Sequence, residues 1–414
     1  MKIVAAYSGG LDTSVMIPWL SENYDGAEIV TYTGDLGQGE DLEAVRQKAL
    51  RTGAVEAHVD DLSERFVEEY IWPALMASAV YEGVYPLHTA LGRPLLAKRL
   101  VEVALETGAD AIAHGCTAKG NDQVRFEIAI RSLAPQLKVL APLREWELTT
   151  REAEVEYAVA RNIPLPITME KPFSIDQNLW GCAIECGEME ELWNEPPADA
   201  WRMTKDPSHA PRGSVELVLG FEQGIPISID GRTMNGVELI TNLNELAGNF
   251  GVGRIDMVEN RCVGLKSREI YEAPAATLLH MAHTELERIC LDRATFNYKC
   301  QVSKDFANLV YDGLWFGPLR ECLQAFVEES QRTVTGEVRI RVSAGLARIT
   351  GRRSPYSLYS PSLATYHEGD TFDREAASGF MELVGLPYKT VAEVRRKMGQ
   401  PKFKKRVYQA KGRS

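Results

Sequence analysis

The residues with the clearest chemistry lie in the run Ala6-Tyr7-Ser8-Gly9-Gly10-Leu11-Asp12-Thr13-Ser14. An apolar stretch, Ile3 to Tyr7, breaks at Ser8-Gly9-Gly10, and Val15 to Leu20 then reads as helix. Two glycines let the backbone approach a ligand and turn its N–H groups outward. Ser8, Thr13 and Ser14 add hydroxyls, and the helix behind presents its positive N-terminus. Together these suit a polyphosphate. The spelling is neither G-x-x-x-x-G-K-[ST] nor G-x-G-x-x-G. A bare Ser-Gly-Gly turn would mean little; strand, then S-G-G-x-D-[ST]-S, then helix specifies a phosphate loop.

Other chemical groupings are weaker. Seven cysteines, an odd number, contain no C-x-x-C pair, so neither a zinc site nor a thioredoxin-like motif is expected. Cys182 and Cys186 read as packing thiols. His280 and His283 lack H-E-x-x-H spacing and read as helix-surface or core histidines. No protein metal site is expected.

The elements that must position the loop alternate. Glu28 to Thr33 reads as strand and runs into the glycine-rich GDLGQGED; Asp41 to Thr52 reads as helix, stopped by Gly53. Val55 to Val59 and Asp110 to His114 read as strands, Arg93 to Thr107 as a helix opened by Pro94, and Thr149 or Thr150 to about Arg161 as another helix. Such a rhythm predicts an α/β domain, a parallel sheet with helices on both faces, and ligands bind such sheets at the carboxyl ends of the strands. The rhythm ends at Asn162-Ile163-Pro164-Leu165-Pro166. Beyond it Val215 to Leu219, Ile225 to Ile229, Glu337 to Val342 and Leu346 to Ile349 read as strands, and Asn235 to Ala247 and Ala273 to Asp292 as helices. An α+β second domain follows from this. Helices near Asp373 to Leu383 and Thr390 to Met398 precede a basic tail. The expected division is 1–166, the α/β domain; 167–371, the α+β domain; and 372–414, a C-terminal helical segment and basic tail.

Composition bounds the rest. The 414 residues are 45% hydrophobic and 25% charged, which excludes a mostly disordered or fibrous chain. No apolar run reaches the roughly 18 residues of a membrane span, and the N-terminus turns polar too early for a signal-peptide core. A cytoplasmic protein with no membrane partner is expected. The net charge of −12 is uneven: residues 394–414 carry nine Lys or Arg and no acid, which leaves residues 1–393 near −21. So acidic a body is a poor platform for nucleic acid. The tail reads as a solvated segment meeting an acidic neighbouring subunit.

The loop resembles that of the PP-loop ATP pyrophosphatases, which cleave ATP between its α- and β-phosphates. AYSGGLDTS, GDLGQGED, KGNDQVRFE (119–127), SIDQNLWG (174–181), GRIDMVENRCVG (253–264) and KSREIYEAPA (266–275) together resemble the argininosuccinate synthase family, in order and over most of the chain. The resemblance implies ATP-dependent ligation of citrulline to aspartate through citrullyl-AMP, in arginine biosynthesis, by a homotetramer. It implies ATP on residues 6–14, Gly34 and Gly115, with Mg²⁺ held mainly by phosphate oxygens and water. Asp12 reads either as a group that orients Mg²⁺ or as an ordinary helix cap.

For citrulline the resemblance implies Tyr85, Asn121, Arg125, Ser174, Glu259 and Tyr271. Arg125 suits the carboxylate and Glu259 the ammonium. For aspartate it implies Thr117, Asn121 and Asp122, with Asp122 or a phosphate oxygen taking a proton from the amine. The chain departs from the family at His88-Thr89-Ala90 where G-T-S is usual, at Ala183 where a serine is usual, and at Ala118 where a glycine is usual. Pro18 suggests a kink in the first helix. The missing serines leave open an adenylating ligase with another ureido-type acceptor. A tRNA-modifying enzyme is disfavoured by the acidic body, an amidotransferase partner by Lys2, and a non-catalytic nucleotide sensor by Asn121, Asp122, Arg125 and Glu259.

Overall fold

The computed structural model describes residues 1–39, 41–164 and 173–399. The sequence-based domain boundary at 166 therefore falls outside the described residues. Five strands, β1 (Lys2–Ala6), β2 (Glu28–Asp35), β3 (Glu56–Asp61), β4 (Ala111–Ala113) and β5 (Lys138–Leu140), form a wholly parallel sheet in the order β3-β2-β1-β4-β5. Along β1 successive side chains enter opposite cores. Ile3 and Ala5 join the cluster with Val15, Met16 and Trp19, and Val4 joins the one with Val30 and Leu95. A sheet buried on both faces requires apolar residues at both parities, and β1 has them.

The later strands are β6 (Ser174–Asn178), β7 (Gly181–Glu185), β8 (Ser214–Glu222), β9 (Ile225–Ile229), β10 (Arg232–Thr233), β11 (Arg254–Asn260), β12 (Lys266–Glu272), β13 (Gly336–Ser343) and β14 (Leu346–Arg353). They make two antiparallel sheets, β11-β12-β7-β6 and β10-β9-β8-β13-β14. The α/β then α+β plan holds. Residues Met1–Leu358 form one compact unit and Tyr359–Ser414 another.

Three local expectations change. The helix expected to open at Pro94 runs His88–Glu106 with Pro94 inside it. His88, Thr89, Ala90 and Leu91 are all buried, so tertiary packing there outweighs the amide hydrogen bond a proline removes. The two tail helices are one, Arg374–Lys397, opened by Asp373, whose carboxylate accepts from the Glu375 and Ala376 amides. Pro387 lies within it. Cys186 is exposed, with φ +75, and so is not a packing thiol; Cys182 is buried. The structure also adds helices that the sequence reading left out: Asp122–Leu133, Arg293–Tyr311 and Pro318–Gln331. Among the described residues no helix is long and apolar enough to cross a membrane.

Candidate active site

β1 lies between β2 and β4, so the chain leaves β1 and β4 toward opposite flanks of the sheet. The crevice between such loops is where an open α/β sheet binds ligands. The loop after β1 is held by its own residues. Ser8 Oγ meets Thr13 Oγ1 at 3.1 Å, and the Gly10 amide points at Ser8 Oγ. Gly9 has φ +73, a conformation that disfavours side chains, and its carbonyl accepts from Lys48 Nζ. The helix Leu11–Asn23 starts at Gly10 without a side-chain cap. The loop after β4 rests against it: a Cβ on Gly115 would come within 3.1 Å of Thr13 Cγ2. Gly34 lies at the end of β2, where a Cβ would come within 2.6 Å of Leu96.

These loops open onto a cleft of about 720 Å³. Of the sequence-based nucleotide set, Ala6, Tyr7, Ser8, Gly10, Thr13, Gly34 and Gly115 line it. Gly9, Leu11, Asp12 and Ser14 do not. Ser14 Oγ donates to the Gly10 carbonyl at 2.7 Å and meets Tyr7 Oη at 3.2 Å, so its hydroxyl closes the loop. Leu11 packs on the apolar core beside Val15. Asp12 is exposed in the first helical turn and faces Glu154, whose carboxyl is pushed up to about 8 by burial and by the Asp12 charge. Every residue expected for citrulline or aspartate lines the cleft: Tyr85, Thr117, Asn121, Asp122, Arg125, Ser174, Glu259 and Tyr271.

The far wall is one face of the β11-β12-β7-β6 sheet. Antiparallel partners share a face, and the register sets Asp176, Ala183 and Tyr271 in one row and Ser174, Glu185 and Glu269 in the next. Cys182, Ile184 and Ile270 point the other way, into a core. Ala183 therefore stands between Asp176 and Tyr271 on the cleft side. Tyr271 and Tyr85 stack at 4.1 Å, with Tyr271 Oη donating to Glu259 at 2.7 Å.

Charge in the cleft is paired. Asp122 opens the helix Asp122–Leu133 and receives Arg93 Nε and Arg125 Nη1, each at 2.9 Å. Burial would raise its pKa, but the two guanidiniums hold the carboxyl below its ordinary value. Arg93 also reaches Asp176 at 2.5 Å. Arg125 Nε donates to the Tyr311 carbonyl at 3.0 Å, which leaves Nη2 without a partner among the described residues. Glu259 is buried, and burial pushes its pKa up although Tyr271 and Tyr311 both donate to it. Arg261 joins Glu185, Glu269 and the Lys119 carbonyl. His114, buried at the end of β4, is pushed down to about 4 by burial, so it is neutral at pH 7.

Sequence reasoning missed Arg93, Asp176, Arg261 and Tyr311. Strand alternation could have found Asp176, since Ser174 and Asp176 share a face. In the sequence Arg93 reads as the start of its helix, and nothing local marks Arg261 or Tyr311. Among the described residues no group of three or more His, Cys, Asp or Glu side chains gathers into a metal cage.

Comparisons with known proteins bear on the same residues. The profile of the arginosuccinate synthase N-terminal HUP domain matches residues 2–164, and that of the arginosuccinate synthase C-terminal domain matches residues 173–391. The chain is similar to an argininosuccinate synthase of Chlorobium luteolum, 56% identical over 95% of this chain and 98% of that one. It is likewise similar to one of Chlorobaculum tepidum, 57% identical over the same shares. Among solved structures, the U34-tRNA thiolase NcsA of Methanococcus maripaludis covers 41% of this chain and 61% of its own, at 15% identity and a TM-score of 0.25, too slight a likeness to argue from.

Proposed function

The chain belongs to the argininosuccinate synthase family, and on that premise we propose how its cleft serves three substrates. The enzyme is a ligase that joins citrulline to aspartate in arginine biosynthesis, with ATP as co-substrate. One observation carries the division of the cleft: the phosphate loop meets the loop after β4 at Thr13 and Gly115, and both open toward a wall that bears Asp122, Arg125 and Glu259.

ATP lies along Ala6 to Thr13, between Gly34 and Gly115, with phosphates on the Ser8–Gly10 amides and the start of the first helix. Gly9, Leu11 and Ser14 shape this loop from outside the cleft. The ammonium of citrulline meets Glu259, and its carboxylate meets Arg125 through Nη2, because Nε and Nη1 are committed to Tyr311 and Asp122. Tyr85, Asn121, Ser174 and Tyr271 complete that pocket. Aspartate lies nearer Thr117, Asn121 and Asp122.

The ureido oxygen of citrulline attacks the α-phosphorus, and the bond to pyrophosphate breaks. The aspartate amine then attacks the ureido carbon, and AMP leaves. A carboxylate flanked by two guanidiniums is a weak base, so Asp122 orients the amine and a phosphate oxygen of the departing AMP takes the proton. Most of the acceleration comes from alignment and from neutralised phosphate charge. Mg²⁺ would be held mainly by phosphate oxygens and water, with Asp12 at the rim of the loop, and would neutralise phosphate charge when bound.

Residues 1–166, 167–371 and 372–414 divide the work into nucleotide binding, acceptor binding and assembly. A homotetramer is supported by the tail helix, whose Phe380, Leu383, Val384 and Leu386 are exposed, and by the basic tail on an acidic body. Seven free cysteines support a cytoplasmic location. Citrulline-dependent exchange of pyrophosphate into ATP tests the whole reading.

A further inference from the structure

We propose that Tyr311 is a positioning residue for citrulline, one that fixes the geometry of Asn121, Arg125 and Glu259 together. The proposal rests on the division of the cleft above. Tyr311 ends the helix Arg293–Tyr311 and is fully buried. It reaches each of the three residues by a separate contact. Its hydroxyl donates to Glu259 and accepts from Asn121 Nδ2 at 2.8 Å. Its carbonyl accepts from Arg125 Nε at 3.0 Å, and the Arg125 guanidinium lies 5.0 Å from the ring centroid.

The contacts have a fixed sense. A phenol has one proton, and a carboxylate can only accept, so Asn121 must present its NH₂ to Tyr311. The Asn121 carbonyl then accepts from the Cys262 amide at 3.0 Å, which ties the loop after β11 to the start of the Arg125 helix. Burial and the Glu259 charge raise the Tyr311 pKa far above its ordinary value, so the proton stays on the phenol.

The ring is itself held. Tyr81 stacks flat on it at 3.6 Å, and Tyr85 meets it edge-on at 6.4 Å. Gly313, at φ +76, lets the helix end press on the Arg125 backbone: a Cβ there would come within 2.7 Å of Arg125 Cα.

Glu259 is faced by Tyr271 and Glu269 from β12, Arg261 after β11, Arg125 from its helix, Tyr81 and Tyr85 from their turn, and Tyr311. Both hydroxyl donors and both arginines favour the carboxylate form. Loss of the Tyr311 donor therefore moves the titration of Glu259 to higher pH. Citrulline needs the carboxylate, so the acid limb of kcat/KM for citrulline moves with it.

The experiment compares Tyr311→Phe and Tyr311→Gln in the full-length enzyme, by steady-state kinetics across pH, with thermal melting as a check of folding. Tyr311→Phe should raise KM for citrulline about tenfold, leave KM for ATP within about twofold, and shift the acid limb upward by about half to one pH unit. Tyr311→Gln loses the ring and is too short to return a donor to Glu259, and should move the acid limb as Tyr311→Phe does. An unmoved citrulline KM and acid limb in Tyr311→Phe, or a shift in the Gln variant alone, overturns the proposal. Arg125→Lys separates the two claims. If it too leaves citrulline KM unchanged, the division of the cleft has failed; if it raises KM while Tyr311→Phe does not, the role of Tyr311 alone has failed.

Discussion

Arg93 donates to the Asp122 carboxylate at 2.9 Å, and through that bond the helix after the Tyr85 turn is locked to the helix after β4. Arg125 holds the other oxygen of the same carboxylate. Asp122 is thus the anchor of two cations, and in the proposed division of the cleft it also holds the aspartate amine. Asp122→Asn should raise KM for aspartate about tenfold or more, since hydrogen bonds to charged groups are worth about 1.5–3 kcal/mol. Citrulline-dependent pyrophosphate exchange should fall less, because ATP and Glu259 are untouched. Equal loss of both activities, measured side by side, would show that Asp122 serves the first half-reaction as much as the second.

Gly9 makes the phosphate loop unusually sensitive. Its φ of +73 is strained for any residue with a branched side chain. Ser8→Ala combined with Gly9→Val should cut turnover by at least about 100-fold, the cost of displacing reacting groups by an ångström. The fold should persist, because the nearest atoms to a new Cβ at Gly9 are 3.8 Å away. Circular dichroism and an ATP titration check both halves, and normal turnover in a folded variant would sink the phosphate-loop assignment.

This loop was legible because its chemistry is contiguous: two glycines and three hydroxyls within seven residues, between a strand and a helix. The parallel sheet was legible for a related reason, since β1 alternates between two cores and so shows an unbroken apolar run. The acceptor side became legible only through the resemblance. Tyr85, Arg125 and the β11–β12 pair that bears Glu259 and Tyr271 meet from three distant segments, and Tyr311 joins them from the end of a helix whose sequence carries no local mark. Arg93 reads as a helix start because Pro94 usually stands in a first turn. The buried packing of His88 to Leu91 extends the helix back past it.

Ala183 tests how the pocket treats its missing hydroxyl. It stands between Asp176 and Tyr271 on the cleft face, and Cys182 points into the opposite core. Ala183→Ser should lower KM for citrulline by a few-fold, the worth of one hydrogen bond of about 0.5–1.5 kcal/mol, with KM for ATP unchanged. A raised citrulline KM would mean that this wall has been reshaped for another ureido acceptor.

Four histidines pushed down by burial, His88, His114, His280 and His283, set an acid limit on stability. His88 and His114 are pushed down by burial to about 3 and about 4, so both are neutral when folded. The unfolded chain takes up these protons near pH 6.5. Stability is therefore complete above that pH and falls as pH drops toward 4, by about 1.4 kcal/mol per unit for each histidine. Urea unfolding at pH 7 and pH 5 should show the loss, and His88→Leu should reduce it. An identical pH dependence in that variant would show that His88 contributes none of it.

Deletion of residues 372–414 removes the tail helix with its exposed Phe380, Leu383 and Leu386 and its basic extension. Sedimentation should then report a smaller assembly. An unchanged profile would place the subunit contacts elsewhere.

The most direct test of the account is exchange of labelled pyrophosphate into ATP, measured with and without citrulline and in the absence of aspartate. The account predicts exchange that requires citrulline, needs no aspartate and is lost in the Ser8→Ala, Gly9→Val variant. Exchange that proceeds equally without citrulline, or that appears only with a different ureido compound, would contradict it.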